Sequence, residues 1–502
     1  MLFNSIHFAI FFPIVLLLYF SLGHRWRWVL LLVASCYFYM VFVPAYILVL
    51  AFTIAVDYAA GLLIEPARGA RRRALLLLSI AANVGILAAF KYYNFFAANV
   101  SAAGHLLGAD VELPALTLLL PLGLSFHTFQ AMSYTIEVYR GHVAAERHLG
   151  IYALYVMFFP QLVAGPIERP QNLLPQLRGA HVFERGRVAS GLTLMGWGLL
   201  KKIVIADTLG TLADPAFARS VDFPGPALVL ATVCFAFQIY FDFSGYSDIA
   251  LGSAEVMGIR LMRNFDCPYS SRSFADFWKR WHISLSSWLR DYVFLPVSIS
   301  LSRRFDRDRW LGLSHDAWVY GSAAMITMLL SGLWHGAGWS FVCWGGLHGM
   351  FLSVGFATRK ARRRLAAVIA RKTHPGLVTA VQVVATFALG CIAWVFFRAR
   401  SVEEALTLLS RMVLESGAWL GRRAKPVALS HLLLDDPVSV SFVGVLLVAV
   451  LWVETFDRRR DARAWLAGSS GWVRWSIYYG MAVLILVFAE VEQSQPFIYF
   501  QF

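Results

Sequence analysis

Residues Thr327 to Met350 read TMLLSGLWHGAGWSFVCWGGLHGM, an apolar stretch that carries two histidines, His335 and His348, and no Asp, Glu, Lys or Arg. Glycine, alanine and tryptophan surround His335 in a Trp334-His335-Gly336 sequence between two apolar runs. Ionisable groups at membrane depth are costly and mark candidate functional sites. The simpler interpretation is a hydrogen-bonded structural histidine at a helix end, and we favour it for His348.

The composition around this stretch is that of a membrane protein. The chain of 502 residues is 59% hydrophobic and 15% charged, and its mean hydropathy is +0.62. Apolar windows long enough to cross a bilayer recur along it, which predicts an all-α polytopic bundle of about 11–13 transmembrane helices. No repeat or separate soluble segment is visible, so residues 1–502 are predicted to form a single domain.

The net charge of +14 does not indicate nucleic-acid binding, because the basic residues occur in short clusters between apolar windows. Such clusters orient a membrane protein and contact its lipids. With the N-terminus outside, most clusters fall on the cytoplasmic side, whereas Arg398 to Arg400 and Arg422 to Lys425 fall outside. The five cysteines show no metal-ligand spacing, so neither a disulfide framework nor a metal site is predicted.

Two polar stretches interrupt the apolar windows in the first half of the chain. From Pro114 to Arg140, His127 begins a series of polar residues at helical spacing, which predicts either an interhelical hydrogen-bond seam or a cavity lining. Further on, Gln161 lies between Pro160 and Gly165-Pro166. These breakers predict either a helix that ends part-way across the membrane and continues as a buried loop, or a span followed by a surface loop.

Residues Phe235 to Asp248 place Asp242, Asp248 and Tyr246 in an aromatic segment. An isolated carboxylate there is expected to pair with a histidine or arginine, or to be protonated, and Asp242 could orient an imidazole. From Asn264 to Ser300 the chain is too charged to span a membrane, and apolar residues from Phe274 to Leu295 repeat at helical spacing. This pattern predicts one amphipathic interfacial helix containing His282.

Several blocks together resemble the membrane-bound O-acyltransferases, in the branch with the alginate O-acetylation membrane subunit and the teichoic acid D-alanyl transferase. The blocks are AFKYYNFF (89–96), LVAGPIERP (162–170), FDFSGYSDIALG (241–252), FWKRWHISLSSWLRDYVFLP (277–296), SGLWHGAGWSFVCWGGLHG (331–349), WVFFRA (394–399) and FIYFQF (497–502). The last two look more like the polysaccharide O-acetylation members. One departure is VSISLSRRFDRDRW after RDYVFLP, where the family has a Gly-Gly turn and a basic loop.

By this resemblance, His335 occupies the position of the family's essential histidine and His282 that of a second histidine, in a helical bundle with interfacial and re-entrant helices around a central tunnel. Imidazole suits the removal of a proton from a sugar hydroxyl. His335 is then either a general base or an acyl carrier. Trp334 and Trp339 are candidate donors to the oxyanion of the tetrahedral intermediate.

The resemblance implies transfer of an acetyl group from a cytoplasmic donor, acetyl-coenzyme A, to an extracytoplasmic polysaccharide hydroxyl or to a periplasmic acyltransferase partner. It also implies a multi-pass protein of the bacterial inner membrane, with no metal cofactor. One alternative is transfer of D-alanyl or another acyl group to a cell-envelope polymer. An alternative of another class is a proton-coupled transporter or polysaccharide exporter, against which no inverted repeat is found.

Overall fold

The protein is almost entirely helical in the computed structural model, which describes residues 1–117, 120–305, 308–310, 312–420, 437–489 and 497–498. The helices are α1 Ile6–Ser21, α2 His24–Met40, α3 Ile47–Ile64, α4 Gly69–Leu87, α5 Tyr93–Leu106, α6 Leu124–Arg140, α7 Leu149–Met157, α8 Pro170–Arg178, α9 Arg185–Leu199, α10 Asp207–Ala218, α11 Gly225–Val256, α12 Phe274–Phe277, α13 Ile283–Leu289, α14 Leu295–Arg304, α15 His315–His335, α16 Trp339–Ala357, α17 Arg359–Lys372, α18 Pro375–Arg398, α19 Val402–Leu420, α20 Pro437–Arg460, α21 Ala462–Gly468 and α22 Gly471–Phe488.

Short irregular helices and one hairpin complete the described chain. The π-helical segments are Ala88–Tyr92, Leu200–Ala206 and Arg290–Phe294, and the 3₁₀ turns are Pro44–Tyr46, Ser220–Asp222 and Pro268–Ser270. Strands β1 Arg309–Trp310 and β2 Leu313–Ser314 pair antiparallel, with Arg309 opposite Ser314. The prediction of an all-α polytopic membrane protein is confirmed.

Eight helices in the described part of the chain are long and apolar enough to span a membrane. The larger predicted number also counted the windows of α1, α2, α6, α7 and α20. The first four of these have only 16, 17, 17 and 9 residues. In α20, the side chains are described only from Gly444 onward. The predicted cluster Arg422 to Lys425 and most of the terminal FIYFQF block lie outside the described residues.

Contacts within the chain separate into two compact units. The first contains residues 1–200, Gly245–Arg263 and the segment from Ser470, and the second contains Lys201–Ser244 and Asn264–Ser469. Both are discontinuous in sequence, because the chain leaves each unit and returns to it. The single domain over residues 1–502 stays a prediction.

In the first unit, a buried loop follows a short helix, as the breakers around Gln161 predict. Helix α7 ends at Met157, and the chain from Phe158 to Glu168 is not helical although its side chains are buried. Turn hydrogen bonds satisfy part of this backbone, including Gln161 N–H to the carbonyl of Phe158 at 3.0 Å. Irregular backbone is tolerated at membrane depth only where protein or a cavity surrounds it. The alternative of a surface loop is wrong.

A buried polar cluster joins α3, α4 and α6 in the same unit. Asp57 accepts hydrogen bonds from Ser79 Oγ at 2.6 Å and from Asn83 Nδ2 at 2.9 Å. The Ser79 hydroxyl also lies 3.1 Å from Thr135 Oγ1. Hydrogen bonds between helices hold a bundle together where neighbouring helices gain little from hydrophobic burial.

In the second unit, α15 and α16 form a hairpin with direct backbone contact. A Cβ atom at Gly332 would collide with the carbonyl oxygen of Phe341, and one at Gly345 would collide with that of Met328. One turn further along, a Cβ at Gly349 would lie 2.9 Å from Met325 Sδ. Small residues at this spacing let helix backbones approach closely in membranes. Three glycines of the Thr327–Met350 stretch, Gly332, Gly345 and Gly349, therefore have a packing role.

The prediction of one amphipathic helix from Phe274 to Leu295 is wrong in its continuity. The chain forms α12, breaks, and resumes as α13, and His282 at the break has a left-handed φ of 43°. Most apolar residues of the pattern, from Phe274 to Trp288, are buried all the same, with Trp281 only 1% exposed, whereas Leu295 at its end is 43% exposed. Packing of these side chains in the second unit and hydrogen bonds to the break outweigh the helical periodicity.

We expect Gly345→Ala to destabilise the protein by about 1–3 kcal/mol, because its methyl group has no room against the Met328 carbonyl. Gly346→Ala is the matched control, since a Cβ there would lie 3.7 Å from Leu329 Cδ2, an ordinary contact. Thermal unfolding of the purified variants in detergent measures the difference. Equal midpoints for the two variants would contradict the close helix contact.

Candidate functional site

The turn between α15 and α16 positions His335. This histidine is the last residue of α15, and Gly336 follows in an extended conformation with φ −158° before α16 begins at Trp339. The Gly336 N–H donates to the carbonyl of Gly332 at 3.2 Å, which closes the helix end. His335 is 5% exposed. The close helix contact through Gly332 therefore holds the imidazole inside the unit at a fixed point.

Aromatic rings surround the His335 imidazole on several sides. Its ring centroid lies 4.8 Å from that of Trp334, 4.9 Å from Trp344 and 5.3 Å from Phe397, all edge to face. Trp344 and Phe397 are each 1% exposed. The Trp344 indole N–H is buried and donates to no protein atom in the described structure. A buried donor thus lies in the ring next to the imidazole, and the sequence analysis did not single it out.

The second predicted histidine lies near the same group. His282 is fully buried, and its ring centroid lies 6.1 Å from that of Trp334 and 4.7 Å from that of Phe243. The Trp334 ring contacts both histidines, so the structure brings His335, Trp334 and His282 together. Burial lowers the pKa of His282 to about 3, which keeps this imidazole neutral at physiological pH.

Asn264 holds the chain around His282. Its side-chain oxygen accepts from the Ser284 hydroxyl at 2.7 Å and lies 3.3 Å from His282 Nδ1. Its backbone carbonyl accepts from the N–H of Ile283 at 2.9 Å. Three contacts from one residue thus stabilise the left-handed turn. Sequence reasoning missed Asn264 because it is 18 residues from His282 and belongs to no charged or periodic pattern.

His348 lies in the middle of α16, among aromatic rings. Its ring centroid is 4.6 Å from that of Trp344 and 5.1 Å from that of Trp278. Neither ring nitrogen has a hydrogen-bond partner in the described part of the chain. The structure therefore corrects the expectation of a hydrogen-bonded histidine at a helix end. His348 lies within a helix, and its imidazole packs against aromatic rings of the described residues.

The partner that the structure shows for Asp242 is a lysine rather than the expected histidine or arginine. Lys202 Nζ lies 2.6 Å from Asp242 Oδ1 and 2.7 Å from Asp207 Oδ1. The neighbouring Lys201 pairs with Glu454 at 2.7 Å. Both lysines are buried in the π-helical segment Leu200–Ala206. Two adjacent lysines inside an otherwise apolar helix indicate buried charge pairs, although they do not identify the carboxylates that complete the pairs.

The two tryptophans expected to stabilise an oxyanion differ in burial. Trp334 is 5% exposed and contacts both histidines, whereas Trp339, in the first turn of α16, is 57% exposed. A donor acts strongly on a developing charge only where water is excluded. By burial, Trp334 and Trp344 fit such a role better than Trp339 does.

The remaining predicted residues belong to the first unit. Gln161 Nε2 donates to the carbonyl of Tyr155 at 3.0 Å, and the Tyr246 hydroxyl accepts from the N–H of Ala164 at 3.3 Å. His127 is buried, with 1% of its surface exposed. His127 lies on α6, Gln161 in the loop after α7 and Tyr246 on α11, and all three are buried. For α6, the choice between a hydrogen-bond seam and a cavity lining stays a prediction.

Comparison with known proteins decides the family. The statistical model of the membrane-bound O-acyltransferase family matches residues 146–396, which contain both His282 and His335. The chain belongs to this family. The probable alginate O-acetylase AlgI of Pseudomonas putida is 35% identical over 99% of both chains. The peptidoglycan O-acetyltransferase of Helicobacter pylori is 29% identical over 94% of this chain and 91% of its own.

A more limited similarity extends to the teichoic acid D-alanyltransferase of Streptococcus thermophilus, which is 31% identical over 49% of this chain and 59% of its own. As a membrane-bound O-acyltransferase, the protein is an enzyme that transfers acyl groups to hydroxyl groups. The matched region carries the group formed by His335, Trp334 and His282.

The pairing of Lys202 with Asp242 leads to a stability prediction. We expect Lys202→Met to destabilise this acyltransferase by about 3–5 kcal/mol, because it leaves a buried carboxylate without its cation. Lys202→Met combined with Asp242→Asn is expected to recover most of that loss, because the buried charge is removed as well. Thermal unfolding in detergent compares the variants. A double variant no more stable than Lys202→Met would contradict the coupling.

Proposed function

We propose that the protein acetylates an exported polysaccharide, taking the acetyl group from acetyl-coenzyme A on the cytoplasmic side of the bacterial inner membrane. The observation that carries this proposal is the buried His335 imidazole beside Trp334 and Trp344, in a chain that matches an alginate O-acetylase over its full length. Because the chain belongs to a family of acyltransferases, we do not propose the transporter or exporter alternative.

His335 is the proposed catalytic residue. Its imidazole takes the proton of the acceptor hydroxyl while the hydroxyl oxygen forms a bond to the acetyl carbonyl carbon, and the thiolate of the donor then leaves. The alternative role, in which His335 itself carries the acetyl group, uses the same nitrogen. His282, held by Asn264, is proposed to orient the acceptor or to relay a proton past Trp334.

Trp344 is the proposed oxyanion donor. Its N–H is buried, has no acceptor among the described residues and belongs to the ring beside His335. An unused buried donor costs stability unless a ligand or intermediate uses it. The negative oxygen of a tetrahedral intermediate supplies such an acceptor, and a site closed to water strengthens that hydrogen bond.

The acceptor is either the polysaccharide or a periplasmic acyltransferase that passes the acetyl group on. An apolar protein with an acyl-transfer site at membrane depth allows the acetyl group to cross while the charged donor stays in the cytoplasm. The D-alanyl alternative rests on the relative of Streptococcus thermophilus. The greater coverage by O-acetylating relatives favours acetyl transfer.

The proposal predicts that His335→Gln abolishes polysaccharide acetylation, because no proton acceptor remains at the turn. The measurement is the acetyl content of exported polysaccharide in a strain that lacks the gene and is complemented at equal membrane abundance. His348→Gln is the matched control, and we expect it to retain acetylation. Normal acetylation with His335→Gln would refute the catalytic assignment. Normal D-alanylation or another acyl modification in wild type, without acetylation, would refute the substrate.

A second variant tests the oxyanion donor. Trp344→Phe keeps an aromatic ring and removes the N–H, so we expect acetyl transfer to fall by about 10²–10³-fold, the usual effect of losing one such donor. Trp278→Phe removes another buried indole N–H, next to His348, and is expected to change the rate little. Equal rates for Trp344→Phe and wild type, in purified protein with radiolabelled acetyl-coenzyme A, would contradict the assignment.

A further inference from the structure

The first unit contains a half-open cavity of about 320 Å³ whose lining is strongly basic. The start of α2, the N-cap of α7 and the end of α8 meet there. Three arginines and three histidines line it, and no carboxylate does. They are His24, Arg25, Arg27, His148, Arg178 and His181.

Two of the three arginines in the lining have no carboxylate partner among the described residues, and the third has one. Arg178 pairs with Glu146, its Nε lying 3.1 Å from Glu146 Oε2. Arg25 stacks on the Trp26 ring, and Arg27 on the Tyr19 ring at 4.7 Å, and within the described residues neither pairs with a carboxylate. A cavity wall with two uncompensated guanidinium groups attracts an anion, and guanidinium geometry suits phosphate oxygens.

Arg27 is also fixed in place before any ligand binds. Its Nε donates to the carbonyl of Leu22 at 3.1 Å, and its Nη1 donates to the carbonyl of His181. The guanidinium group thus ties the start of α2 to the segment after α8. A cation held in this way loses little side-chain entropy when it binds an anion.

The size and the surroundings of the cavity limit the classes of ligand that it can bind. A volume of about 320 Å³ is near the lower end of the range for small-molecule sites, so it accommodates a phosphate group with a few further atoms. Exposed apolar side chains flank the lining residues in sequence, among them Leu17, Trp26 and Phe183. Such side chains provide a surface for the acyl chains of a lipid next to the basic cavity.

We infer that this cavity binds a phosphate ester, carried either by an anionic phospholipid or by a soluble phosphorylated compound. Both sources present the same chemistry to Arg25 and Arg27, a phosphate oxygen that accepts charge-assisted hydrogen bonds. None of the six basic residues belongs to the proposed catalytic group, so anion binding in this cavity is separate from the identity of the acyl group and of the acceptor.

The test measures the binding of three probes to the full-length protein in a zwitterionic detergent. The readout is the shift that each probe causes in the midpoint of thermal unfolding. The probes are dioctanoyl phosphatidylglycerol, inorganic pyrophosphate and coenzyme A. We expect at least one to stabilise wild type saturably, and Arg25→Gln to weaken its affinity by about tenfold, through loss of one charge-assisted contact. Arg25 is exposed, and no hydrogen bond from its side chain to the backbone is found in the described structure, so this variant is expected to fold.

The matched control is Arg73→Gln, which removes another exposed arginine, near the start of α4, that does not line the cavity. It is expected to bind like wild type. Binding of the lipid alone identifies a headgroup site, and binding of pyrophosphate or coenzyme A identifies a soluble ligand. No saturable binding of any probe, or equal affinity for wild type, Arg25→Gln and Arg73→Gln, would overturn the inference. Polysaccharide acetylation measured in parallel reports separately on the proposed function.

Discussion

Backbone contact between α15 and α16 is the constraint on which the candidate site depends. The glycines at 332, 345 and 349 place no Cβ atom in the contact surface, so the two helices approach more closely than leucine or valine at these positions would allow. A short hairpin then places the last residue of α15 inside the unit. The histidine at that position is buried because its neighbours are small on one side and large, flat and aromatic on the other.

The same unit handles its buried charges by pairing. Lys201 and Lys202 face Glu454 and Asp242 within about one hydrogen-bond length, and Tyr240 donates to the second oxygen of Glu454 at 2.7 Å. By contrast, the imidazole of His348 and the indole of Trp344 keep buried nitrogen atoms without acceptors or donors among the described residues. The charged pairs are complete within the protein, and the aromatic group is the part with hydrogen-bonding capacity left over.

Much of this arrangement could be predicted from local sequence. The turn after Trp334, the buried loop around Gln161 and the helical class each follow from breakers and apolar periodicity over a few residues. The partners of Asp242 and His282 could not be found in that way, because Lys202 and Asn264 are distant along the chain and no pairing rule links them. The break at His282 was also missed, since its left-handed conformation depends on hydrogen bonds that Asn264 accepts from Ile283 and Ser284 and overrides a convincing helical pattern.

The π-helical segment Leu200–Ala206 has a consequence for how this chain can change over evolution. A π-helical turn contains more residues than an α-helical turn. Each residue added or removed in it rotates the following helix by about 100°. Lys202 reaches Asp207 and Asp242 only in the present register. Deleting one residue here would keep both lysines in the sequence and yet turn them away from their carboxylates. The length of this segment is therefore constrained together with its charges, because a change of one residue would separate each lysine from its carboxylate.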